Sequence, residues 1–193
     1  MVLTKPTLMK TTHLILLCGK PRAGKTTVRK ALAPLISGAD TSDAIIDIAA
    51  EALGVTRDHI IDKKEHYRPF LISIGDAMVR ESATMLVDRA IERTCYRTPV
   101  VAVAGVRRVS ELEAVKEKYG RSTHVTAVWV HRNRVARFAD NTSPHLREHC
   151  DLELCMQMTA DGSFRADHHL IQALLGKTEV VLDRYSLLKI KNT

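Results

Sequence analysis

Aromatic residues are scarce: the 193-residue chain has one Trp, three Phe and four Tyr. So small a supply argues against a base-stacking platform for single-stranded nucleic acid. Cysteine is scarce too. The four present (Cys18, Cys95, Cys150, Cys155) show no CxxC spacing, which fits a reduced cytoplasmic setting. Cys18 reads as a small buried hydrophobe of the first strand. No apolar run approaches ~18 residues, so no membrane partner is expected. Met1 to Lys10 lacks the apolar stretch of a secretion signal. There is no HExxH; His145 and His149 lie four apart beside Cys150, and these, with His168 and His169, read as surface residues rather than zinc ligands. Repeats and Pro/Gly-rich linkers are missing as well, so one domain over 1–193 is the economical reading.

Acid is missing where base accumulates. Residues 1 to 38 hold seven Lys/Arg and no Asp or Glu, and the whole chain carries a formal net charge of +7. Such a balance favours nucleotides or nucleic acid as partners, although a basic surface that serves only solubility has the same composition.

What is present is a phosphate loop. The apolar run Leu14–Leu17 ends at Gly19, and Gly24-Lys25-Thr26 follows five residues later at the start of a helix-compatible stretch. This is G-x-x-x-x-G-K-[ST] in its required setting of strand, loop and helix. Gly19 and Gly24 let the backbone turn its N–H groups toward phosphate oxygens, and the helix start aims its positive end at the same anion. Lys20, Pro21, Arg22, Ala23 and Thr27 complete the cradle for ATP. Lys25 is expected on the β/γ-phosphates and the Thr26 hydroxyl on Mg²⁺.

Strands are expected at His13–Cys18, Val100–Ala104, Val125–Val130, Leu152–Met158 and Glu179–Leu182. Helices are expected at about 24–36, 42–53, 66–95, 109–119 and 165–175, with Thr41 and Ser42 capping the second and Ser110 with Glu113 boxing the fourth. The alternation predicts a three-layer α/β fold, a parallel sheet of the P-loop NTPase kind with its ligands at the carboxyl ends of the strands.

The segment from Asp43 to Glu81 resembles the acceptor-binding helices of deoxynucleoside monophosphate kinases, especially the phage type, through Leu53-Gly54, Arg68, Leu71, Gly75 and Arg80. "VVAVAGVRRVSELEAVKEKYG" is similar to that family's strand, Val-Arg pair and acidic helix, "VWVHRNRVARFADN" to its strand and arginine lid, and "MTADGSFRADHHLIQALL" to its closing strand, turn and helix. The resemblance covers most of residues 13 to 176. It implies a nucleoside-monophosphate-kinase architecture with acceptor helices at about 42–95 and a lid at about 131–149. Two positions depart from the family: Gly105 stands where it usually has an Asp, and Asp47 where it tends to have a Lys.

Candidate acceptor ligands are Arg68 and Arg80, twelve residues apart and therefore about 3.3 turns, off a common face unless the helix breaks near Gly75. Arg107 at a strand end is better placed. Arg132, Arg134 and Arg137 suit a lid that neutralises transition-state charge, or a solvated basic helix. Asp40, Asp43 and Asp76 are candidate bases; Asp43 equally suits the helix dipole. The first expectation is an ATP-dependent kinase acting on a deoxynucleoside monophosphate. The rivals are a kinase acting on an alcohol, such as a 5-hydroxymethyl pyrimidine in phage DNA, and a nucleotide-binding switch or motor. The absence of Asn-Lys-x-Asp and of a strand ending in Asp-Glu counts against the last. A homodimer is left open.

Overall fold

The computed structural model describes residues 11–33, 36–94, 99–132, 142–158 and 164–166. Its sheet has the strand order β2-β3-β1-β4-β5-β6, with β1 His13–Cys18, β2 Ser37–Asp40, β3 Val100–Val106, β4 His124–Arg132, β5 Leu152–Met158 and β6 Phe164–Ala166. The first five strands in that order run parallel, and β6 pairs antiparallel to β5.

Strand β1 is apolar throughout because it is central and covered on both faces, as parallel strands require. Ile15 and Leu17 pack with Val28 and Leu32 of helix α1 (Lys25–Leu32). Leu14, Leu16 and Cys18 face the other way, onto Val87, Ala90 and Ile91 of α5 (Met85–Glu92) and Leu112 and Val115 of α6 (Val109–Tyr119). The period-two alternation of one strand thus builds both outer layers. Among the described residues no helix is long and apolar enough to cross a membrane.

Helices α2 (Ser42–Leu53), α3 (Arg57–Asp62) and α4 (Lys64–Glu81) have their own apolar cluster of Ile46, Ala49, Ala50, Ile60 and Leu71. The helix expected over 66–95 is therefore two: α4 ends at Glu81 and α5 starts at Met85. Gly75 does not break α4; it is buried inside it, where an added Cβ would lie 3.0 Å from Ile45 Cδ1. Helix α1 stops at Leu32, two residues before Pro34, rather than at 36. Thr41 is the N-cap of α2 without a side-chain bond, and the box at α6 is shifted, with Glu111 Oε2 accepting from Arg108 N at 2.9 Å. Residues 164–166 form β6, the last two of them where a helix was expected to start; the remainder of that helix and the strand Glu179–Leu182 lie outside the described residues.

Candidate active site

The loop from Gly19 to Thr27 leaves the carboxyl end of β1. Gly19 has φ +135°, and a Cβ there would meet the Val130 carbonyl oxygen of β4 at 2.3 Å, so only glycine can start the loop so close to that strand. Pro21 and Ala23 are buried, Lys20, Arg22 and Thr26 exposed, and Thr27 lies between. Gly24 is the N-cap of α1, which points the orphan N–H groups of the first turn at the loop's hollow. Lys25, only 9% exposed, donates through Nζ to Gly19 O and Lys20 O, both at 2.7 Å. An ammonium held over the loop with helix-end donors beneath fits a polyphosphate.

Thr26 Oγ1 donates to Asp40 Oδ1 at 3.0 Å. Asp40 ends β2 and also takes Arg29 Nε on Oδ2 at 3.1 Å. A hydroxyl and a carboxylate side by side are hard oxygen donors, and Mg²⁺ typically needs only one or two protein ligands beside nucleotide phosphates. Among the described residues no group of three or more His, Cys, Asp or Glu could hold a metal by itself. Asp43 lies one step on: its Oδ2 accepts from Asp40 N at 3.3 Å, while Oδ1 takes Arg57 Nη2 at 2.5 Å. Arg57 also binds Asp47, which in turn pairs with Arg93. Asp47, where the resembled family tends to have a lysine, thus ties α2 to α3 and to the residue that caps α5.

The family's other departure, Gly105, has a steric cause. Register between β1 and β3 runs Leu17↔Ala104 and then Cys18↔Val106, so Gly105 is a bulged residue. Its φ is +123°, and a Cβ would lie 2.1 Å from Thr41 Oγ1. No carboxylate fits there. The bulge also resets the strand's alternation, so that Val103 and Val106 share one apolar cluster. Gly105→Ala is expected to lower unfolding free energy by about 3 kcal/mol, from left-handed backbone strain plus displacement of Thr41. Urea denaturation with an unchanged midpoint would refute that account.

A pocket of about 70 Å³ opens at the carboxyl ends of β2 and β3. Ile45, Leu71, Ile72 and Leu86 make its apolar wall, and Lys64, Arg68, Arg107 and Arg108 bring four cations to a lining whose one carboxylate is Glu111, while Arg68 also pairs with Glu65 and Arg108 with Asp76 just outside it. Glu111 is 2% exposed; burial pushes its carboxyl up, against the pull of Arg108 and the Arg107 and Arg108 N–H groups. Lys64 is accessible at the mouth, and crowding by protein lowers its ammonium against the pull of Asp40.

The structure thus brings Arg68 and Arg107 together. Arg80 is exposed, outside the pocket lining, with Nε on Asp76 O at 3.3 Å. The Asp76 carboxylate pairs with Arg108. Arg132 ends β4 half-buried, whereas Arg134 and Arg137 lie outside the described residues. Lys64, Arg108 and Glu111 are pocket residues that sequence reasoning missed. The pairing of Val106-Arg107 with Arg108 in "GVRRVSE" was the one available signal.

Fold and loop together define a three-layer α/β protein of the P-loop class. No protein-family model matches the chain, and no curated protein matches it. Among solved structures it is similar to shikimate kinase from Acinetobacter baumannii in complex with shikimate, at 19% identity over 89% of this chain and 97% of that one, with a TM-score of 0.46. It is also similar to TT1252 from Thermus thermophilus, at 16% identity over 89% of this chain and 100% of that one, with a TM-score of 0.48. A protein from Chloroflexus aurantiacus assigned provisionally as a kinase matches at 19% identity and a TM-score of 0.37, over 65% of this chain and 62% of its own length. Likeness at this level says nothing of what this chain binds.

Proposed function

We propose that the protein is an ATP-dependent phosphotransferase whose acceptor brings its own ionised oxygen, a deoxynucleoside monophosphate being the first choice. The observation that carries the reading is the pairing of charges around the pocket. Every candidate base is already bound: Asp40 by Arg29 and Thr26, Asp43 by Arg57, and Asp76 by Arg108. Glu111 accepts two backbone N–H groups. An alcohol acceptor gains from a base, and these carboxylates are engaged elsewhere. A phosphate acceptor needs none, and the cationic excess suits it.

Bound Mg²⁺–ATP would supply the transferable γ-phosphoryl group. Lys25 and the α1 N–H groups hold the phosphates, Thr26 with Asp40 would hold the metal, and Arg68 and Arg107 orient the acceptor anion. Positioning and charge neutralisation do the chemical work. Arg132, with Arg134 and Arg137, completes the reading as a lid that shields the transferring group from water.

The test is transfer from γ-labelled ATP to a panel of deoxynucleoside monophosphates, ordinary duplex DNA and DNA bearing 5-hydroxymethyl pyrimidines. Label is expected in a nucleoside diphosphate, with kcat/KM lower by roughly 10–100-fold in Arg68→Ala and in Arg107→Ala, as for a lost charge-assisted bond. Label kept in modified polymer would replace the monophosphate by an alcohol. Label appearing only as free phosphate would sink both kinase readings.

A further inference from the structure

One exposed carboxylate joins the phosphate loop to the acceptor pocket. Glu65, in the first turn of α4, accepts from Arg22 Nη2 at 2.8 Å. It also takes Arg68 on both oxygens, from Nε at 2.8 Å and from Nη2 at 2.7 Å. Arg22 belongs to the loop, and Arg68 lines the pocket.

Two features set this bridge apart from an ordinary surface ion pair. Arg22 is the single non-glycine residue with positive φ among those described, at 59°, a conformation few L side chains adopt. Its backbone is therefore fixed by the loop, and its side chain reports the loop's shape. Pro69 lies inside α4 and has no N–H to offer the Glu65 carbonyl, so the turn bearing Glu65 is held less firmly by its own helix. The guanidinium groups, Arg68 first and Arg22 second, hold the Glu65 carboxyl down to about 2, so it stays charged at neutral pH.

We infer that Glu65 is a positioning residue that couples the two halves of the site: the loop in its phosphate-cradling form fixes Arg22, Arg22 fixes Glu65, and Glu65 sets the plane of the Arg68 guanidinium. Nucleotide on the loop then tightens acceptor binding, and by linkage the acceptor tightens nucleotide. The inference rests on the proposed transfer reaction, and the acceptor and the coupling fail separately in the experiment that follows.

Hydrogen exchange is followed in the full chain with and without Mg²⁺ and a non-hydrolysable ATP analogue, for the wild type, Glu65→Gln and Arg22→Ala. Circular dichroism verifies that each is folded. In the wild type the analogue is expected to protect both residues 19–27 and residues 64–68. In Glu65→Gln the loop stays protected and the α4 turn loses most of its gain, and in Arg22→Ala the α4 turn loses its gain as well. Calorimetry with dTMP and dGMP should show the analogue tightening at least one of them about fivefold or more in the wild type. The variants should tighten less than twofold, and the double variant no less than either single one. A protected loop with an unchanged α4 turn in the wild type overturns the coupling, as does full α4 protection in Glu65→Gln. Failure of both nucleotides to bind while α4 responds removes the proposed acceptor and leaves the coupling standing. An unprotected wild-type loop removes both.

Discussion

Lys25→Ala is expected to lower kcat on the order of 10³-fold or more while the protein stays folded, the loss typical of removing a preorganised charge from a transferring phosphoryl group. Lys25 opens α1, and its ammonium lies 2.7 Å from two loop carbonyls. It is almost wholly buried, with its position set by the helix start rather than by its own flexible stem. The substitution forfeits those two bonds, worth together about 2 kcal/mol, against a sheet whose central strands are fully covered. ATP binding should weaken less than turnover, because the loop N–H groups remain. Stopped-flow or steady-state transfer, read beside a thermal melt, checks both halves. A folded variant with wild-type turnover would remove the loop as the catalytic centre.

The sequence-based reading reached furthest where one physical signal dominated. The apolar run of β1, the alternation in β5 and the periodic α2 and α6 match the structure at or near their ends, because local pattern and tertiary burial agree there, whereas the caps expected on the two helices do not. Strand β2 was invisible for the opposite reason. Ser37-Gly38-Ala39-Asp40 has one buried residue, Ala39, and owes its extended form to ladder pairing with β3. Helix α3 is six residues long and held by Thr56, whose side chain accepts from His59 N, too short for a period to show.

The site divides the same way. The loop is a contiguous motif, so spacing alone exposes it. The pocket is assembled from α2, α4, α5, β3 and α6, and no local pattern says that Lys64 and Glu111 line one cavity. Gly105 looked like a missing carboxylate in sequence. The bulge shows a position that cannot bear one, and it moves the search for a metal-holding acid across to the end of β2.

Under the proposed function Asp40 would be that acid, and Asp40→Asn is expected to cost about 10²–10³-fold in kcat/KM and to raise the Mg²⁺ concentration needed for half-maximal rate, as loss of a metal-holding charge should. Asp40 has a second tie, the Arg29 pair, in which the side chains are 16% and 14% exposed. Breaking so enclosed a pair is itself destabilising, by about 2–3 kcal/mol, because one charge is left behind. A slow variant could therefore be a loosened one. Arg29→Gln separates the two effects. It breaks the same ion pair from the other side and keeps the carboxylate beside Thr26 Oγ1. Both variants should melt at similarly reduced temperatures, whereas only Asp40→Asn should shift the Mg²⁺ dependence. Thr26→Ala should shift it in the same direction, since its hydroxyl stands 3.0 Å from Asp40 Oδ1. Equal Mg²⁺ curves for Asp40→Asn and Arg29→Gln would reduce Asp40 to a structural partner of Arg29 and leave Thr26 alone to hold the metal from the protein side.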